Sequence, residues 1–274
     1  MTSSIVLSVV TFVYFGAMCL FWAAWIFHKP LMDRAATVAA FLGVLGNAAG
    51  FCLRWWESHQ VGMGHVPLTN MYESLVFFSL VTMAVCLILA RQYKIRVLGA
   101  VVAPFAFLAM AYASLNHSDQ IQPLVPALQS NWLTAHVFTA FLGYAGFAAA
   151  TGLAIMFMLK SSESHGPVTK ALPEAPVLDQ LMYQCILLGF LFLSVGIITG
   201  AVWANSAWGR YWSWDPKETW SLATWLIYAA LIHLRLVRGW TGKRTALLSI
   251  VGFAAVLFTW FGVNYLSGLH SYAT

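Results

Sequence analysis

Charge is what this sequence has least of. Only 8% of its 274 residues are Asp, Glu, Lys or Arg, against about 25% in an ordinary soluble domain. A globular chain so poor in charge cannot cover its surface with polar groups, which excludes a soluble fold. Other absences narrow the field further. Cys19, Cys52, Cys86 and Cys185 lie far apart and form no C-x-x-C, so a dithiol-exchange or zinc site has no support. They read as small apolar residues facing lipid or neighbouring helices. No soluble domain, low-complexity tract or clear internal repeat interrupts the apolar runs. The first run, from about Ile5 to Phe27, lacks a basic stretch before it and is long enough to span a bilayer. An ordinary cleavable signal is therefore not expected there.

What the chain does have is apolar length. Runs near 5–27, 35–53, 71–90, 97–115, 132–159, 177–202, 216–238 and 245–268 predict about eight transmembrane helices. At about 1.5 Å rise per residue, each crosses a hydrocarbon core of about 30 Å. The expectation is an all-α polytopic membrane helix bundle, residues 1–274 forming a single integral membrane domain. An even number of spans puts both termini on one side, and the basic residues choose which. Lys29, Arg34, Arg91, Lys94, Arg96, Lys160, Lys170, Arg235, Arg238, Lys243 and Arg244, 11 of the 14, fall on the side opposite the termini. Arg54, Arg210 and Lys217 are the rest. The positive-inside rule places both termini outside the cytoplasm. The net charge of +5 is thus an orientation signal, and nucleic acid drops out as a partner.

Tryptophan is unevenly spread. "WANSAWGRYWSWDPKETWSLATW", residues 203–225, holds six of the 13 tryptophans, where a window of that length should hold about one. A membrane-interface belt accounts for two or three of them. Within the segment, Asp215 has the place of an N-cap, Pro216 of the first helical position, and Glu218 of the acid in a capping box. "NMYE" offers Asn70 and Glu73 in the same way at an earlier helix start. Asp215 and Glu218 are therefore helix-start residues before anything catalytic. The remaining rings make an aromatic surface on the outer side suited to a large, flat, mostly apolar ligand, with Arg210 or Lys217 available for an acidic group. Haem fits that description. From aromatics alone, so do a quinone and a lipid headgroup.

Haem iron most often takes histidine as axial ligand, and the eight histidines sort by topology. His28 and His165 lie at or in inner loops, and His59, His65 and His117 in outer ones, where a lone histidine is usually a solvated polar residue. His136 sits one turn into the fifth span, near its outer end, with Trp132 four residues earlier on the same face. His270 follows the last span on the same outer side. Both share the depth of the tryptophan segment, as bis-histidine ligation would need. His233 lies within the seventh span, 18 residues beyond Asp215 or about 27 Å along a helix. An intramembrane ionisable residue is a functional candidate, with a structural hydrogen bond as the competing reading.

"WGRYWSWDPKETW", "WLIYAALIHLR", "GLHSYA", "GHVPLTNMYESL" and "NWLTAHVFTAFLGYAGF" together resemble the WWD-domain haem-handling family. The closest resemblance is to the CcsA/ResC-type membrane subunit of System II cytochrome c biogenesis, called CcsB-type in bacteria. That resemblance runs from about Arg54 to the C-terminus. It implies a protein that binds haem b, carries or presents it on the outer face, and acts as the haem-handling subunit of a cytochrome c synthase complex. A Ccs1/ResB-type partner would join it in attaching the vinyl groups to the C-x-x-C-H thiols of apocytochrome c, a reaction that needs ferrous haem. By the same resemblance, His136 and His270 correspond to an external axial pair and His233 to a transmembrane histidine whose counterpart belongs to the partner. Trp203, Trp208, Trp212, Trp214 and Trp220, with Asp215, correspond to the WWD platform. The expected location is a bacterial plasma membrane, with the WWD segment on the extracytoplasmic side. Two other readings stay open: a System I-type haem exporter or handler, and an electron-transfer haem b or quinone protein.

Overall fold

The computed structural model describes residues 2–162, 166–266 and 268–269, with the backbone alone at 167 and 168. Its long elements are helices α1 (Ser3–Phe27), α2 (Pro30–Gln60), α3 (Met71–Tyr93), α4 (Leu98–Asn116), α5 (Asn131–Lys160), α7 (Ala175–Trp208), α8 (Pro216–Arg238) and α9 (Lys243–Trp260). A one-turn α6 (Pro167–Lys170) and two 3-10 turns, Pro126–Leu128 and Gly262–Tyr265, complete the list, with no strand among the described residues. Eight helices are long and apolar enough to cross a membrane, as the apolar runs predict, and the chain is an integral membrane protein.

Several boundaries differ from expectation: α2 starts at Pro30 rather than near 35, α9 ends at Trp260 rather than near 268, and two helices run on past their apolar runs. α2 runs on to Gln60, so Arg54 is helical, and α7 runs on to Trp208, taking Trp203 and Trp208 into the helix. Neither extension meets a helix breaker before Gly62 and Gly209, which take left-handed conformations at φ +77° and +74° that favour glycine. The tryptophan-rich loop proper is thus confined to residues 209–215.

The helices group into two compact units, residues 1–123 with 162–174, and 124–161 with 175–274. In the first, α1 packs along α2, α3 along α4, and α1 also against α4. Asn47 is fully buried and donates to Ser79 Oγ at 2.8 Å, a polar link between α2 and α3 of the kind that joins helices in lipid. In the second unit α5 and α7 are the most intimate pair, and α9 packs on α5 and α8. Small residues permit that closeness. A Cβ on Gly143 would sit 3.0 Å from the Gly189 carbonyl oxygen and from the Leu193 nitrogen. At the far end of this unit from Asp215, Asp179 accepts from Arg235 Nη2 and from the Gly242 N–H, both at 2.7 Å.

Candidate functional site

The start of α8 organises one end of the second unit. Asp215 caps the helix, its Oδ2 accepting the Lys217 N–H at 3.1 Å, while Glu218 Oε2 accepts the Asp215 N–H at 3.2 Å. The capping box is complete. Glu218 also accepts the Ser213 N–H at 2.7 Å, and this ties the tryptophan loop down onto the helix that follows. Asp215 has a further task. Its Oδ1 accepts the Leu269 N–H at 2.5 Å, which fixes the segment after α9 against the start of α8. His270 itself lies outside the described residues.

Beside this helix start is a cavity of about 90 Å³, lined by His136, Tyr144, Trp203, Tyr211, Trp212 and Lys217 among others. It is partly open to its surroundings. Trp203 is buried, its indole N–H donating to the Ala127 carbonyl at 2.8 Å. Trp208 meets Trp203 edge-on at 4.9 Å, and Trp214 meets Trp212 edge-on at 5.7 Å. Trp214 is 69% exposed and takes a left-handed backbone, φ +60°. That conformation is uncommon for a bulky residue and marks a held position.

His136 is set for one job. Its ring lies parallel to that of Trp203, with centroids 6.2 Å apart, and its Nδ1 is 2.6 Å from the Gly196 carbonyl oxygen. A carbonyl can only accept, so Nδ1 carries the proton, and the neutral ring keeps its lone pair on Nε2. Second-shell bonds of this form orient histidines that ligate metals. No hydrogen bond occupies Nε2 among the described residues. The seat exists because residue 200 is glycine, since a Cβ there would lie 2.6 Å from Nδ1.

Of the sequence-predicted residues, the cavity thus brings together His136, Trp203 and Trp212. Trp208 and Trp214 buttress those rings, and Asp215 works behind them through its backbone partners. Trp220 packs on Phe258 at 4.3 Å instead of lining the cavity. His233 does not line it either, and it is exposed on α8 with no hydrogen bond among the described residues. Residues that sequence reasoning passed over include Gly196, Gly200, Tyr144 and Asn264. Asn264 had a readable signal, as a lone amide in "FGVNYLSGLH"; it accepts from Lys217 Nζ at 3.3 Å.

Residues 68–270, which include this whole arrangement, match the model of the family described as cytochrome C assembly protein. The chain belongs to that family. Among curated relatives of this cytochrome c assembly protein, the cytochrome c biogenesis protein CcsA of Chlamydomonas reinhardtii is 43% identical over 227 residues, covering 80% of this chain and 63% of that protein. The CcsA of Parasynechococcus marenigrum (strain WH8102) is 41% identical over 249 residues, 80% of each chain. The resemblance to the CcsA type is borne out. Among solved structures, one described as cytochrome c heme lyase CcmF superposes with a TM-score of 0.76 at 18% identity, over 95% of this chain and 47% of that one. At that identity the likeness establishes a shared fold.

Proposed function

We propose that this cytochrome c assembly protein holds haem b as a transient substrate at the cavity beside α8 and presents it for covalent attachment to the C-x-x-C-H thiols of apocytochrome c. The observation that carries the reading is His136. Its protonated Nδ1 is spent on Gly196 and its Nε2 is free beside a cavity walled by Trp203 and Trp212. The donor set fits the group: one imidazole lone pair for iron and several aromatic faces for a porphyrin. The second axial ligand in this reading is His270, and Asp215 supports it by anchoring the residue before it, Leu269. When bound, haem supplies the vinyl groups that form thioethers, and the chain orients it and shields one edge from water.

The rest of the reading concerns direction and company. The distribution of basic residues supports an extracytoplasmic tryptophan loop with both termini on that side, and a bacterial plasma membrane is the location proposed. His233, exposed on α8 near Arg235, is suited to complete an inner haem site only with a ligand from another chain. A Ccs1/ResB-type membrane subunit is the partner proposed, and the two together would form the cytochrome c synthase.

The test is to purify the complex from cells making a c-type cytochrome and record its haem spectrum. His136→Ala should remove or shift the Soret band and lower cytochrome c maturation at least about tenfold, since removing an axial ligand costs more than about 1.4 kcal/mol. An unchanged Soret band with undiminished maturation would sink the axial role. The His233→Ala variant should lose haem only from the complex that contains the partner.

A further inference from the structure

We infer that Lys217 Nζ and the indole N–H of Trp212 form an anion site within the same cavity, and that it holds a propionate carboxylate of the porphyrin. The inference rests on the haem reading above and adds to it which part of the substrate is recognised and by what.

Several polar atoms on the cavity wall are unspent. Lys217 stands in the first turn of α8, where the positive end of the helix dipole disfavours a cation. Its side chain is half-buried and lines the cavity. Nζ touches Asn264 Oδ1 at 3.3 Å, a neutral acceptor, and no carboxylate lies within ion-pair distance of it among the described residues. The nearest carboxylates are otherwise engaged. Asp215 accepts from the Lys217 and Leu269 N–H groups, and Glu218 from those of Ser213 and Asp215. Trp212 Nε1 is buried and has no hydrogen-bond partner among the described residues, an unusual state for an indole N–H and one that costs free energy. Thr259 and Ser221, also on the wall, are satisfied by backbone carbonyls.

Among its side-chain nitrogens, the cavity therefore leaves open one lone pair, on His136 Nε2, and two donors, on Lys217 and Trp212, beside the hydroxyls of Tyr144 and Tyr211. A ligand that answers all three brings a Lewis-acidic centre and a negatively charged acceptor together. A quinone or a plain aromatic brings no charge for Lys217. Iron protoporphyrin IX brings both, with its propionates on one edge of the macrocycle. Lys217 is thus a residue that orients the macrocycle and selects for its acid edge.

The test compares iron protoporphyrin IX with its dimethyl ester, titrated into the full-length protein in nanodiscs and read by the Soret band and by quenching of tryptophan fluorescence. The wild type should prefer the diacid by about tenfold, the scale of one charge-assisted hydrogen bond. Lys217→Met should bring the two affinities within about twofold by weakening the diacid alone, and Lys217→Arg should restore most of the preference. Trp212→Phe should lower the preference by about two- to threefold, as expected for one neutral donor. His136→Ala should change the Soret position while keeping the diacid preference. If the wild type binds both porphyrins equally, or Lys217→Met keeps the preference, the propionate site is overturned and haem binding stands. If neither porphyrin binds, the haem reading falls and this inference with it. Unchanged α-helical circular dichroism in each variant separates these results from misfolding.

Discussion

α3 in the first unit and α8 in the second begin with the same device and end up in opposite electrostatic states. Each has a capping side chain and a glutamate three residues later, Asn70 with Glu73 and Asp215 with Glu218. Around Glu73 every charge is answered. Its Oε1 pairs with Arg54 Nε at 2.8 Å, both side chains almost fully buried, and its Oε2 accepts from the N–H and hydroxyl of Thr69 at 2.9 Å. The rest of the Arg54 guanidinium reaches the carbonyls of Asp119 and Gln120 at 2.6 and 3.3 Å and covers the Tyr72 ring. Around Glu218 the carboxylate is consumed by its own loop, and the nearby cation, Lys217, feels Asp215 but makes no ion pair at bonding distance among the described residues. A closed network holds a shape, whereas an open one waits for a ligand. One unit ties its loops to a buried ion pair, and in the proposed reading the other keeps donors for a ligand.

The largest way to break the comparison is at Arg54. Arg54→Met leaves Glu73 buried without its cation and should cost about 3–5 kcal/mol, seen as a large fall in the thermal midpoint of the purified protein. Removing both charges, Arg54→Met with Glu73→Leu, should recover most of that loss, because the penalty belongs to the stranded carboxylate. Lys217→Met should change the ligand-free midpoint far less, since it removes only a neutral contact to Asn264 and a longer-range attraction to Asp215. Equal losses at Arg54 and Lys217 would mean that the two helix starts are electrostatically alike, and the contrast would fail.

Next in size is Gly200→Ala. A Cβ at that position would meet His136 Nδ1 at 2.6 Å and Cε1 at 2.8 Å, so the ring has to leave its place against Gly196. Overpacking of this kind costs about 1–3 kcal/mol, less than the stranded charge, but the effect on haem should be larger than the effect on stability. The Soret band should move or weaken while the thermal midpoint drops only modestly. A normal spectrum would show that the Gly196 bond does not set the ligand.

These residues also show what a sequence can disclose. The two helix starts were legible because a cap and its partner lie within four residues of each other. The eight spans were legible because each is a continuous apolar run, and the aromatic crowding was legible as composition. The extension of α7 through Trp203 and Trp208 was not, since nothing between the apolar run and Gly209 marks an end. Arg54 read as a lone outer charge, because its partners stand 19, 65 and 66 residues away. The bond that fixes the His136 tautomer spans 60 residues, and the glycine that makes room for it carries no local sign. Depth in the membrane singled out His136, His270 and His233; His136 lines the cavity, His233 does not, and His270 lies outside the described residues. Which tryptophans face the cavity depends on how α5, α7 and α8 pack, and no spacing encodes that.

The smallest effect concerns His117, just past the end of α4, where the first unit's accounting is not fully closed. Its Nε2 is buried without a partner among the described residues, its ring meets Tyr112 edge-on at 5.3 Å, and burial lowers its pKa below the ordinary 6.5. The sign follows from linkage. Above that ordinary value the ring is neutral in both folded and unfolded chains, and it adds no pH dependence. As pH falls below it, the unfolded chain takes up a proton that the folded chain resists, so stability declines toward the lower folded value. The thermal midpoint should therefore drop between pH 7 and pH 5.5 by slightly more in the wild type than in His117→Asn. Equal slopes would mean that water already reaches the ring, leaving that end of the first unit as fully satisfied as Arg54 and Glu73 make its centre.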